Sequence, residues 1–92
     1  MPKALPKPWF VYMLRCSNTC LYTGITTDLE RRLRQHNSGT ASRYTRSRLP
    51  VKLVHQESFP DQSSALKREA AIKKMSRTTK LEMIRVKARK AG

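Results

Sequence analysis

The sequence predicts an α+β domain, a small three-stranded antiparallel sheet flanked by helices in the order β-β-α-β-α-α. Three observations carry that expectation. Two runs of β-formers, Trp9 to Arg15 and Leu21 to Ile25, flank the polar stretch Ser17-Asn18-Thr19, which is the pattern of a β-hairpin. A third run, Val51 to Phe59, alternates in polarity and is bracketed by Pro50 and Pro60. The remaining chain carries helix-start signatures, a hydroxyl or carboxylate placed just ahead of apolar residues at helical spacing.

Residues 1–8 hold Pro2, Pro6 and Pro8 with Lys3 and Lys7, an extended basic lead-in expected to stay flexible, so the domain is placed over residues 9–90. In the hairpin, parity decides which side chains meet. A three-residue loop sets Cys16 against Cys20, Leu14 against Tyr22 and Tyr12 against Gly24, making Tyr12 and Tyr22 diagonal neighbours on one face. A two-residue loop puts the tyrosines on opposite faces. With the longer loop, Gly24 leaves space for a ligand to approach the Tyr12 hydroxyl.

Thr27-Asp28-Leu29-Glu30 reads as a capping box opening a helix that runs to about Asn37, with Gly39 as its stop. Residues 38–50 are polar and basic, a loop with one short helical turn around Ser42 to Arg46. Asp61 to Ser64 offer several N-caps for a helix from about Ser63 to Met75, and Thr79-Lys80-Leu81-Glu82 is a second capping box for a short last helix toward Lys90.

Ninety-two residues are too few for several domains and leave room for one modest core. Twenty Lys plus Arg against six Asp plus Glu give a formal charge of +14, which implies a polyanionic partner. No apolar run approaches the roughly 18 residues of a membrane span, and Trp9 to Leu14 is too short for a secretory core, so no membrane partner and a cytoplasmic location are expected. Cys16 and Cys20 with His36 and His55 lack the usual zinc spacings; reduced thiols fit a cytosolic chain, with a cross-hairpin disulfide open to oxidation.

The candidate chemistry lies in a few positions. Each tyrosine taken singly also reads as a packed ring with a satisfied hydroxyl. Leu29 and Leu33 mark the apolar stripe of the first helix; Arg32 and His36 fall on the same side, while Arg31, Arg34 and Gln35 point away. An inward guanidinium needs an anion, so Arg32 reaches a phosphate, snorkels to the edge or forms a salt bridge, and His36 either assists it or is a satisfied core histidine. Glu69 is the one acid between Gln62 and Leu81, with Ala65, Leu66 and Ile72 as helical neighbours. It suits one Mg²⁺ completed by water and substrate phosphate, or a salt bridge to a neighbouring Lys or Arg. Arg31, Arg43, Arg46, Arg48, Lys67 and Lys73 are candidate phosphate contacts, and Tyr44 among them is a candidate for stacking on a base.

In order along the chain, F-V-Y-M-L, L-Y-T-G, D-L-E-R-R-L-R-Q-H-N-S-G and A-L-K-R-E-A-A-I-K-K resemble the GIY-YIG nuclease superfamily, specifically its small single-domain bacterial members of the YhbQ-like type, over about Trp9 to Met75. Val11-Tyr12 stands where the family has I-Y, and Tyr22-Thr23-Gly24 stands for Y-I-G. The resemblance implies that Tyr12 and Tyr22 are the signature tyrosines, Arg32 the catalytic arginine, His36 the accompanying histidine and Glu69 the ligand of one divalent ion, Mg²⁺ or Mn²⁺. Several family members carry an Asn about a dozen residues after the glutamate, where this chain has Leu81. The implied activity is metal-dependent DNA endonuclease chemistry on branched, single-stranded or other DNA, with RNA ranking below it. Tyr12 would be the base, its pKa lowered by Arg32, metal and Tyr22. The alternatives are a nucleic-acid-binding module with weak or no activity on the same scaffold, and a ribosome-associated or RNA-binding basic protein.

Overall fold

The computed structural model describes residues 7–91, with side chains as far as Val86. Most of the expected lead-in, residues 1–6, therefore lies outside the described residues. The elements are β1 (Trp9–Arg15), β2 (Leu21–Thr26), α1 (Leu29–Asn37), α2 (Arg43–Arg46), β3 (Lys52–Phe59), α3 (Gln62–Lys73) and α4 (Arg77–Ala91). The strands form one antiparallel sheet in the order β2-β1-β3. This is the anticipated α+β architecture, with α2 in the place of the short helical turn expected around Ser42 to Arg46.

The central position of β1 explains why its sequence is apolar without clean alternation: Val11, Tyr12, Met13 and Leu14 are all buried, because both faces of the strand are covered. Val11 and Met13 pack with Ala65 and Ile72 of α3, and Met83 and Ile84 of α4 close over them. Tyr12 and Leu14 turn the other way, into a cluster with Leu29 and Leu33 of α1 and with Val51 and Leu53. The pairing of β1 with β3 shifts register between Met13 and Leu14, which keeps Val54 on the first face and Leu53 on the second. Arg68 of α3 grips Glu57 of β3 through Nε at 2.9 Å and Nη2 at 3.1 Å, fastening that helix to the sheet edge.

The register pairs Tyr12 with Gly24 and Leu14 with Tyr22, and the Cys16 amide donates to the Cys20 carbonyl at 2.9 Å. The three-residue loop is therefore the one present, closed by Thr19 at φ 67°. Cys16 is buried and Cys20 half-buried, and both thiols are free.

Two helix starts differ from expectation. α1 is capped by Asp28, whose Oδ1 accepts from the Arg31 amide at 3.1 Å, and Thr26 Oγ1 in turn accepts from the Asp28 amide at 3.1 Å. The cap is thus one residue later than Thr27, because the Asp28 carboxylate is the stronger acceptor at a positive helix end. The helix stops as anticipated at Gly39, whose φ of +82° suits a residue without Cβ. α4 starts at Arg77 because Ser76 Oγ accepts from the Thr79 amide at 3.1 Å, so Thr79 sits inside the first turn and does not cap it. α3 is capped by Asp61, with Oδ1 accepting from the Ser64 amide at 2.7 Å, and α2 by Ser42, with Oγ accepting from the Tyr44 amide at 3.1 Å. Among the described residues no helix is long and apolar enough to cross a membrane.

Asn37 ties the end of α1 to the entry of β3. Its Nδ2 donates to the Val51 carbonyl at 3.2 Å, and its Oδ1 accepts from the Val51 amide at 2.8 Å, a side-chain imitation of strand pairing next to the cis Leu49-Pro50 bond. That clasp brings the loop carrying α2 back against α1 and the sheet.

Candidate active site

The face of the sheet that carries Tyr12 and Tyr22 gathers a polar cluster within an apolar surround. Tyr12 comes from the middle of β1 and is 2% exposed. Its hydroxyl lies 2.9 Å from His36 Nε2 and accepts from Arg32 Nε at 3.4 Å. One helical turn separates Arg32 from His36, so α1 presents both to the same phenol. Tyr22 lies beside them, its ring centroid 6.3 Å from that of Tyr12 and 5.0 Å from that of His36, the latter edge-on. Four of the five expected catalytic side chains therefore meet.

The electrostatics differ from expectation in sign. The Tyr12 phenol is pushed up to about 12, chiefly by burial, with the neighbouring Tyr22 and Glu69 charges adding to the rise; Arg32 works against them and loses. Of the lowering expected from Arg32, metal and Tyr22, the Arg32 part is present but outweighed by desolvation of the enclosed phenol, and Tyr22 acts in the opposite direction. His36, wholly buried, is pulled down to about 4 by burial and then by the Arg32 charge, so it is a neutral imidazole near pH 7.

Gly24 also plays a different part. A Cβ built there would stand 2.7 Å from the Tyr12 hydroxyl oxygen. The space left by the missing side chain is filled by the Tyr12 ring itself and is not an entry for a ligand. Gln35 turns back toward the site, accepting from Arg32 Nη1 at 3.2 Å, where an outward direction was expected. A small cleft beside Arg32 is lined by Trp9, Thr26, Thr27, Asp28, Arg31 and Gln35 as well.

Among the described residues Glu69 makes no hydrogen bond to Tyr12, Tyr22, Arg32 or His36. It projects from α3, which packs on the other face of the sheet; its side chain is 18% exposed and its carboxylate lies 3.3 Å from Lys73 Nζ. Leu66, expected beside it on the apolar face, is 46% exposed, while Ala65 and Ile72 are buried. The reason is that α3 buries only a narrow stripe, and Glu69 lies at its border. Glu69 is linked to the Tyr12 hydroxyl only through its charge. Among the described residues no group of three or more His, Cys, Asp or Glu is placed to hold a metal ion.

The candidate phosphate contacts divide. Arg31, Arg43, Arg46, Lys67 and Lys73 are exposed. Arg48 is committed to the fold: Nη1 donates to the Tyr44 carbonyl at 2.7 Å and to Ser47 Oγ at 3.2 Å, and its guanidinium carbon lies 4.1 Å from the centroid of the Tyr44 ring. Tyr44 is 38% exposed and also lies 6.0 Å from the Tyr22 ring, so Arg48 covers a face on which a base was expected to stack.

Thr45 escaped the sequence reading. It is 0% exposed, and its Oγ1 lies 2.8 Å from His36 Nδ1. Nothing in the polar stretch Ser42 to Arg46 distinguishes it from its neighbours, since a four-residue turn has no periodicity from which to read an inward face.

Residues 8–82 match the family described as the GIY-YIG catalytic domain. The chain is 56% identical over 77 residues to a UPF0213 protein from Syntrophus aciditrophicus, covering 83% of this chain and 88% of the relative. It is 51% identical over 74 residues to a UPF0213 protein from Haloquadratum walsbyi, covering 80% and 83%. Among solved structures, it is similar to the solution NMR structure of a UPF0213 protein from Bacillus halodurans, with TM-score 0.58, 39% identity, and coverage of 87% of this chain and 85% of that one. A protein from E. faecalis gives TM-score 0.58, 41% identity and coverage of 85% and 84%.

Proposed function

The chain belongs to the GIY-YIG catalytic domain family, and from that premise we propose that it is a metal-dependent DNA endonuclease hydrolysing phosphodiester bonds. It would nick or cut with a preference for DNA structure and little sequence specificity, through one domain over residues 9–90, in the cytoplasm. The observation that carries the reading is the Tyr12 hydroxyl held between His36 Nε2 and Arg32 Nε, next to a cleft that Arg31 also lines.

Phosphodiester hydrolysis needs a base for water, a clamp for charge growing on the phosphoryl oxygens and stabilisation of the leaving oxygen. Arg32 is the clamp: with Nε on Tyr12 and Nη1 on Gln35, its remaining donors are free for a phosphate. Tyr12 is protonated at rest, so it serves as base by relay. A water proton passes to the phenolic oxygen as the phenol proton passes to His36 Nε2, and the resulting hydroxide attacks phosphorus. Tyr22 walls the pair and limits water access. Arg31, Arg43, Arg46, Lys67 and Lys73 would hold the strand through its backbone. The substrate would be DNA, branched and single-stranded forms included, with RNA below it.

Glu69 is the residue that would hold one Mg²⁺ or Mn²⁺, which when bound supplies Lewis-acid stabilisation of the phosphoryl and leaving 3′ oxygens. A lone half-buried carboxylate fits a cation whose shell is completed by water and substrate phosphate. A second reading, a nucleic-acid-binding module with weak or no activity, is favoured by two observations: the high Tyr12 pKa and the Glu69–Lys73 ion pair. Plasmid nicking with Mg²⁺, with EDTA and by Glu69→Ala separates the two. Nicking by wild type that disappears with EDTA and in the variant supports the enzyme; equal traces from wild type and variant overturn it.

A further inference from the structure

We propose that Thr45 is a positioning residue that fixes the tautomer of His36, with the proton on Nδ1, so that Nε2 is left to accept the Tyr12 phenol proton. This rests on the reading of Tyr12 and His36 as proton carriers in the proposed nuclease. Thr45 is wholly buried in a turn whose other residues, Arg43, Tyr44 and Arg46, are exposed. A hydroxyl withdrawn from water needs partners, and this one has two: His36 Nδ1 at 2.8 Å and the Ser42 carbonyl at 3.4 Å.

The direction of each bond follows from donor counting. The Thr45 hydroxyl has one proton and the Ser42 carbonyl can only accept it; with the proton there, the Thr45 oxygen accepts from His36 Nδ1–H. A neutral imidazole has one N–H, so Nε2 is bare and accepts from the Tyr12 hydroxyl. The Tyr12 oxygen then offers its lone pairs to Arg32 Nε–H and to an incoming water proton. The reverse assignment aims two donors, His36 Nε2–H and Arg32 Nε–H, at the Tyr12 oxygen, and leaves the proton of a phenol 2% exposed without an acceptor among the described residues. Burial and the adjacent guanidinium keep the resting His36 neutral, so near pH 7 it holds one ring proton before the relay operates.

When the relay operates, the Tyr12 O–H bond breaks and a His36 Nε2–H bond forms, while a water O–H bond breaks and the phenol is regenerated. The Nδ1 proton stays on His36, donated to Thr45 Oγ1, so His36 is an imidazolium once the phenol proton has moved, and no other reactant is required.

Long-range ¹H–¹⁵N correlation of the histidine rings reads the tautomer without any assay of activity, and plasmid nicking gives the rate. Wild type and Thr45→Ser are expected to show a protonated Nδ1 and a bare Nε2, with rates within about threefold of each other. Thr45→Val, which keeps the shape and deletes the acceptor, is expected to shift the tautomer toward Nε2–H and to lower nicking about tenfold to a hundredfold, the range known for orienting partners of metal-bound histidines. A wild-type imidazole protonated on Nε2 overturns the proposal, as does a Thr45→Val protein with the wild-type tautomer and rate. Should Thr45→Val fail to fold, the wild-type and Thr45→Ser spectra decide. Should wild type not nick DNA, the nuclease reading fails on its own and the spectrum still decides the tautomer.

Discussion

Gly24 and Tyr12 face each other across the β1–β2 pair at a distance that admits no side chain: a Cβ at Gly24 would stand 2.7 Å from the phenolic oxygen and 2.8 Å from the ring carbon that bears it. Because Tyr12 is enclosed, its ring cannot give way. Gly24→Ala is therefore expected to cost about 1–3 kcal/mol, the usual penalty for overpacking, and to displace the phenol from His36. Urea unfolding checks the first and nicking the second; wild-type values in both would contradict the packing described.

His36 makes stability depend on pH. Its pKa is about 4 when folded, against 6.5 as the ordinary value, so the unfolded chain binds the proton first as pH falls. The contribution is fully present above about pH 6.5 and is lost progressively as pH falls toward 4, by an amount on the order of 3 kcal/mol. The melting temperature is expected to drop across that window more steeply in wild type than in His36→Gln. Parallel curves would show that another group is responsible.

Arg32 makes two bonds that depend on the guanidinium fork, Nε to Tyr12 and Nη1 to Gln35. A lysine carries one point charge and cannot reproduce both while still offering a donor to phosphate. Arg32→Lys is expected to keep the circular dichroism of wild type and to lose about 100-fold or more in nicking rate, in line with removing one oxyanion donor. A rate within a few-fold of wild type would place the clamp elsewhere.

Lys73 occupies the Glu69 carboxylate, and the two are one helical turn apart on α3. A cation bound at Glu69 must displace it, and a partly exposed ion pair of this kind is weak. Lys73→Ala is expected to tighten divalent-ion binding by up to about fivefold. Paramagnetic broadening of Glu69 resonances by Mn²⁺, followed by titration in the absence of DNA, measures this. Unchanged or weaker Mn²⁺ binding would show that Glu69 does not hold the ion.

Much of the fold was legible because its signals are local. The two β-rich runs, the alternating stretch between Pro50 and Pro60, Gly39 as a helix stop and the turn near Ser42 each depend on residues within a few positions of one another. The helix starts that differ are local features as well. Thr27 and Thr79 were passed over as caps because Asp28 and Ser76 stood nearby as acceptors. Helical spacing likewise sufficed to place Arg32 and His36 on one side of α1.

By itself, the sequence determined the succession of strands and helices, the excess of positive charge and the side of α1 that Arg32 and His36 share. Only the tertiary structure decided that the hairpin loop has three residues, that burial drives the Tyr12 phenol upward against Arg32, that Thr45 lies beneath His36 and that Glu69 is held by Lys73. The physical reason is that periodicity reports which face of an element a residue occupies, whereas proton affinity and hydrogen-bond direction depend on the solvent excluded and the partners supplied by segments distant in the chain.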